Sequence, residues 1–144
     1  MPASFELKEG TSLPAVKKSI IQDNINLYAK ASGDFNPIHI DADYARNTPL
    51  GGTVAHGMLI LAYISQMMTE AFGHNWLSSG RLNVRFRAPA RPGDVITISG
   101  SIRQLEKIDG YHIIDCDVLC SNQNDEPVIT GNAKVKVKSN ENSS

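Results

Sequence analysis

Met58-Leu-Ile-Leu-Ala-Tyr-Ile64 is apolar at every position. It sits within His56 to Phe72, a proline-free stretch followed by Gly73, a residue type that readily ends a helix. A helix that is apolar on nearly every side must be buried, and burial requires a layer of structure around it. The run is too short to span a bilayer, so the cover is expected to come from protein.

The second half of the chain supplies that layer. Arg81-Leu-Asn-Val-Arg-Phe-Arg87 alternates with period two, one face apolar and the other basic. Asp94 to Leu105, Tyr111 to Cys120 and Pro127 to Lys138 read as further strands. Their links are Ala88 to Gly93, the hairpin signal Asp109-Gly110, and Asn122 to Asp125. Links this short predict consecutive antiparallel strands, hence an α+β architecture with a strongly curved sheet.

Ahead of the apolar helix, Ile21, Ile25, Tyr28 and Ser32 recur at helical spacing. They predict a short amphipathic helix from about Ile21 to Ala31, stopped by Gly33. Asp34 to Asp41 is expected to be an irregular loop around Asn36-Pro37, because proline disfavours helix in the residue before it. Asp41 is placed to cap a turn of helix through Arg46.

The chain of 144 residues has the length of one domain. We expect that domain over 1–138, with polar 139–144 as a flexible tail. Fourteen Lys and Arg against fifteen Asp and Glu leave a net charge of −1. Such a chain has no global field to attract nucleic acid or an anionic membrane. Met1 to Leu13 lacks the apolar core of a secretory signal. Cys116 and Cys120 share one face of a strand, with Cα atoms about 13 Å apart, too far for a disulfide. Two buried thiols are expected, and with them a reducing, cytoplasmic location. The histidines lack metal-like spacing with His39, and no metal site or cofactor is expected.

Two segments carry chemistry. In Tyr28-Ala-Lys-Ala-Ser-Gly-Asp34-Phe-Asn36-Pro37-Ile-His39 a carboxylate and an imidazole share a loop that Pro37 stiffens. Such a pair is able to position a water, take its proton and return one; the structural alternative is a turn aspartate and a surface histidine. At Ala55-His56-Gly57-Met58 the apolar helix begins, and its first amides have no partners inside the helix. They would suit a developing oxyanion, and a glycine lets a carbonyl approach; the alternative is a small residue required for packing. His56 reads as a neighbour of the site or a packing residue, and His74 as exposed.

Taken together, these segments resemble the MaoC-like, (R)-specific enoyl-CoA hydratases. Asp34-x-Asn36-Pro37-x-His39, followed by Ala45, is similar to that family's hydratase signature. His56-Gly57-Met58 stands where the family begins its central helix, and Phe86-Arg-Ala-Pro89 through Pro92-Gly93-Asp94 resembles its following strand and turn. The resemblance spans about Tyr28 to Ile98. It implies a hot-dog fold, a homodimer or dimer of dimers, and an acyl-CoA or acyl-carrier-protein thioester as substrate. It also implies Asp34 and His39 as the catalytic pair and the Gly57 amide as oxyanion donor. Asn36 and Ser65 are substrate-side positions by the same resemblance; for Ser65 the alternative is a hydroxyl bonded to a helix carbonyl. Arg85 and Arg87 are candidates for carrier phosphates, against the alternative of a solvated strand face.

The implied reaction is reversible hydration of a trans-2-enoyl thioester to a (3R)-3-hydroxyacyl thioester. Other readings are a (3R)-hydroxyacyl-carrier-protein dehydratase and a non-catalytic thioester-binding subunit. A thioesterase is disfavoured, because those enzymes usually carry a carboxylate on or near the central helix, and here none precedes Glu70.

Overall fold

The computed structural model describes residues 6–139. In chain order its elements are β1 (Val16–Ser19), α1 (Gln22–Ser32), α2 (Pro37–Ile40), α3 (Ala42–Arg46), α4 (Gly57–Phe72) and α5 (His74–Ser79). β2 (Arg81–Phe86), β3 (Val95–Ile108), β4 (Tyr111–Ser121) and β5 (Pro127–Lys138) complete it. One antiparallel sheet holds every strand in the order β1-β3-β4-β5-β2.

Local signals fix many of the ends. Gly33 closes α1 in the left-handed region at φ 78°, its amide bonded to the Ala29 carbonyl. The Asp41 side chain accepts from the Tyr44 amide and so caps α3. Asp109 and Gly110, both at positive φ, make the tight turn between β3 and β4.

α4 lies on the sheet through Ile60, Ile64, Met67, Met68, Ala71 and Phe72, a buried stripe at helical spacing. It packs in one core with Ile96, Ile98 and Ile102 of β3, Ile114, Cys116, Val118 and Cys120 of β4, and Ile129, Ala133 and Val135 of β5. Each large aliphatic side chain so buried contributes about 1.5–3 kcal/mol. β-Bulges at Ile102/Gln104 and Cys120/Ser121 help to bend the sheet around the helix. This is the expected hot-dog arrangement.

Some expectations are corrected. The Asp34–Asp41 stretch is not wholly irregular: Pro37–Ile40 forms a turn of helix, because Pro37 stands at a helix start, where its missing N–H costs nothing. β2 pairs with β5 rather than with the next strand. The amides of Arg87 and Ala88 continue that pairing at the Val128 carbonyl, and the link to β3 crosses to Ala55 and Ile20, bonding both. α4 is not covered on every side within one chain. Met58 is 57% exposed, Ala62 is exposed, and Leu59, Leu61 and Tyr63 are half-buried. Of the expected tail, Ser139 is held by a hydrogen bond from its amide to the Gly110 carbonyl, and 140–144 lie outside the described residues.

Candidate active site

Helix α1 ends at Gly33, and the chain turns back on itself through a nest of short-range bonds. The Asp34 amide donates to Ser32 Oγ, the Asn36 amide to Asp34 Oδ1, and the Ile38 amide to Asn36 Oδ1. Asn36 is thus the cap of α2; its side-chain oxygen serves the backbone. Asp34 itself stays exposed, with Oδ2 clear of this nest.

His39 lies on α2 and is 8% exposed. Its Nδ1–H donates to the Val54 carbonyl at 2.8 Å. A carbonyl only accepts, so in the neutral ring this bond sets the tautomer and leaves the lone pair on Nε2. That Nε2 faces Asp34 Oδ2 at 4.0 Å. The backbone around His39 is clamped from two sides. Val54 N donates to the Ile38 carbonyl, while Gln22 Nε2 donates to the His39 carbonyl at 2.7 Å and Gln22 Oε1 accepts from Thr53 Oγ1.

Gly57 is the first residue of α4 and is exposed. Its amide is one of those a helix leaves without an internal partner. The Phe86 ring lies beside it, so that an added Cβ would come 2.9 Å from Cε1 of that ring. His56, the residue before, is 2% exposed, and its ring stacks on that of His39 with centroids 3.8 Å apart. Sequence spacing gave no reason to join His56 to His39, which come together only through the fold.

Asp34, His39 and His56 bring their donor atoms within 4.8 Å of one another. The fold groups residues that no metal-like sequence spacing joins, and the cluster does not fit a metal ion. Imidazole lone pairs lie in the ring planes, and two rings stacked at 24° cannot both aim theirs at an ion about 2.0–2.1 Å away.

The remaining candidates make other contacts. Ser65 is about 12 Å along α4 from Gly57, and its Oγ accepts the Trp76 indole N–H at 2.9 Å, tying α5 to α4. Arg85 and Arg87 are exposed; Arg87 Nε donates to Thr130 Oγ1, and both arginines line a shallow concavity with Asn83, Thr130 and Asn132. Cys116 and Cys120 are free, buried, and pushed up to about 12 chiefly by desolvation.

The chain as a whole has relatives among known proteins. The chain is similar to a 3-hydroxybutyryl-CoA dehydratase of Methylorubrum extorquens, 31% identical over 142 residues, covering 95% of this chain and 85% of that protein. It is 33% identical over 100 residues to an (R)-specific enoyl-CoA hydratase of Rhodospirillum rubrum, covering 69% of each. Among solved structures, it superposes on protein af1124 of Archaeoglobus fulgidus with a TM-score of 0.78 at 31% identity, covering 94% of this chain and 82% of that one. The R-hydratase PhaJ1 of Pseudomonas aeruginosa superposes with a TM-score of 0.78 at 26% identity, covering 94% and 84%. The model of the MaoC like domain matches residues 5–119, and the chain belongs to the MaoC-like dehydratase family.

Proposed function

We propose that this protein catalyses the reversible addition of water to a trans-2-enoyl thioester, giving the (3R)-3-hydroxyacyl thioester. The observation that carries the reading is the gap between His39 Nε2 and Asp34 Oδ2, 4.0 Å wide and bounded by two acceptors. A water oxygen about 2.8 Å from each would subtend about 90° between them, near the angle at which one water donates both hydrogens. Its lone pairs then face away from both groups, toward a substrate.

In this reading His39 Nε2 takes a proton as the water oxygen bonds to the third carbon of the enoyl group. Asp34 holds the other hydrogen and fixes the attack direction. Charge moves to the thioester oxygen, where the Gly57 N–H receives it. The second carbon then gains a proton from the same pair, so one water is added and no group is left changed. Dehydration runs through the same groups in reverse.

The carrier is proposed to be coenzyme A, as in the names of the two relatives above. A 3-hydroxyacyl-[acyl-carrier-protein] dehydratase of Arabidopsis thaliana is also similar, at 29% identity over 113 residues. Both carriers present a thioester, so the test is a panel of purified trans-2-enoyl thioesters, short to long, on each. Loss of the conjugated enoyl absorbance with formation of the 3R product on coenzyme A supports the proposal. Turnover confined to the protein-borne substrates would transfer the activity to the carrier-protein reading. Binding without turnover of any of them would replace it with a thioester-binding role.

The exposed flank of α4 around Met58 and Ala62 supports a further part of this reading, a homodimer in which a second copy covers the helix. A cytoplasmic location fits two cysteines that are free and buried.

A further inference from the structure

The geometry points to His56 as the positioning residue that couples the acid–base pair to the oxyanion donor. This inference rests on the hydration reading above. His56 immediately precedes Gly57 and is the N-cap residue of α4, at φ −60° and ψ 133°. Its carbonyl accepts from the Leu59 and Ile60 amides, so its backbone is part of the helix start. Its side chain reaches back to the other half of the site. Nε2–H donates to the Asp34 carbonyl at 3.0 Å, and the ring stacks on His39 at 3.8 Å and 24°. The Tyr28 ring of α1 lies against it at 4.9 Å.

Three parts of the chemistry thus share one residue. The peptide of Asp34 is held by its N–H, the imidazole of His39 by its face, and the Gly57 amide by a covalent bond. Asp34 needs such a tie, because its other bonds are all to residues within the same exposed turn. Among the described residues, the His56 bond alone ties the Asp34 backbone to the start of α4 by a hydrogen bond. The packing alone does not require a histidine. The donor to the Asp34 carbonyl uses Nε2, which leaves Nδ1 as an acceptor, fully buried and with no hydrogen-bond partner among the described residues. A hydrophobic ring would fill the same space without that cost, so what histidine adds is the N–H aimed at Asp34.

Three variants at this position separate positioning from packing. His56→Gln keeps an N–H donor at a similar reach but no ring. His56→Phe keeps the ring and its stacking but no donor. His56→Leu keeps neither. Each is measured for kcat and KM with the best enoyl thioester, for melting temperature, and beside Asp34→Asn as a control. A misplacement of about 1 Å in a catalytic group costs on the order of 10²-fold, so His56→Phe and His56→Leu are expected to lose about 10- to 100-fold in kcat with KM little changed. His56→Gln is expected to recover most of that loss even if it melts lower than His56→Phe. The reverse order, with His56→Phe near wild type and His56→Gln impaired in proportion to its folded fraction, would assign His56 to packing and overturn the inference. If every His56 variant kept wild-type kcat while Asp34→Asn lost it, the inference alone would fail. If Asp34→Asn itself stayed fully active, the hydration reading would fail first. Should His56→Leu not fold, the contrast between the Gln and Phe variants still decides.

Discussion

The ring of Phe86 rests against the backbone of Gly57, with Cε1 2.9 Å from where a Cβ would stand. A strand end and a helix start therefore meet at the glycine proposed to receive the substrate oxygen. Phe86 is 55% exposed, so its ring is free to swing aside for a methyl group. Gly57→Ala is expected to fold normally and lose activity modestly. Gly57→Val places a branched side chain in the same space and is expected to lower turnover by about 10²–10³, the loss typical of one oxyanion donor. Turnover and melting temperature on the same samples check this. A Val variant that melts normally and turns over at the wild-type rate removes Gly57 from the mechanism.

Asp34→Asn and His39→Gln are each expected to lower turnover by about 10²–10⁴ with the fold intact. The double variant should be little worse than either single one, because both groups act on one water. Steady-state hydration of the best thioester is the measurement. Losses that multiply would mean that the two residues act in separate steps.

The start of α1, the stop at Gly33, the Asp41 cap, the long apolar helix and the Asp109-Gly110 hairpin were all legible in the sequence. Each rests on residues adjacent in the chain or one helical turn apart. The elements that were not legible are those made by distant partners. β1 is four residues, Val-Lys-Lys-Ser, too short and polar to read as a strand; pairing with 95–98 of β3 makes it one. α5 restarts at His74 just after the glycine that ends α4, and the indole of its Trp76 is anchored on Ser65. Asp34 and His39 were legible because one loop carries both. For His56 only its place beside Gly57 was legible, because nothing in its spacing reveals that its ring lies on His39.

The uncovered flank of α4 predicts self-association. Met58 and Ala62 are exposed, and Leu61 and Tyr63 half-buried, along the first half of the helix. Sedimentation at micromolar concentration is expected to give a dimer or a multiple of it. Met58→Lys should shift that equilibrium toward monomer, since it places a charge on an apolar contact. A wild-type chain that sediments only as monomer would remove the homodimer from the proposal.

Cys116 and Cys120 should be inert in the native state. Burial pushes each thiol up to about 12 from an ordinary value of 9.0, and the thiolate is the reactive form. Alkylation at pH 8 is expected to be slow until denaturant is added, then rapid at both. The same shift makes stability depend on pH. Below about 9 both states keep their protons, and the contribution is fully present. Between about 9 and about 12 the unfolded thiols ionise first, so stability falls as pH rises. Urea unfolding across that range should show a shallower decline in a Cys116→Ala, Cys120→Ala variant.

Gly131 on β5 faces the backbone of β2 so closely that a Cβ would fall 2.2 Å from the Asn83 carbonyl oxygen and 2.7 Å from Val84 Cα. Neither atom belongs to a flexible side chain. Gly131→Ala is expected to cost about 1–3 kcal/mol in urea unfolding, as overpacking does. An unchanged midpoint would mean that β2 shifts along the edge without penalty.

Gln22, Asp34, His39, Thr53, Val54, His56 and Gly57 all fall before the midpoint of α4, on one continuous stretch of chain. The four longer strands come later. Inheritance of the proton-handling groups is thereby separated from inheritance of most of the wall that α4 packs against. Substitutions in β3, β4 and β5 are able to reshape that wall one side chain at a time while the residues that would move protons pass on unchanged. A fold divided in this way would let a lineage repack its core without disturbing the residues proposed to move protons.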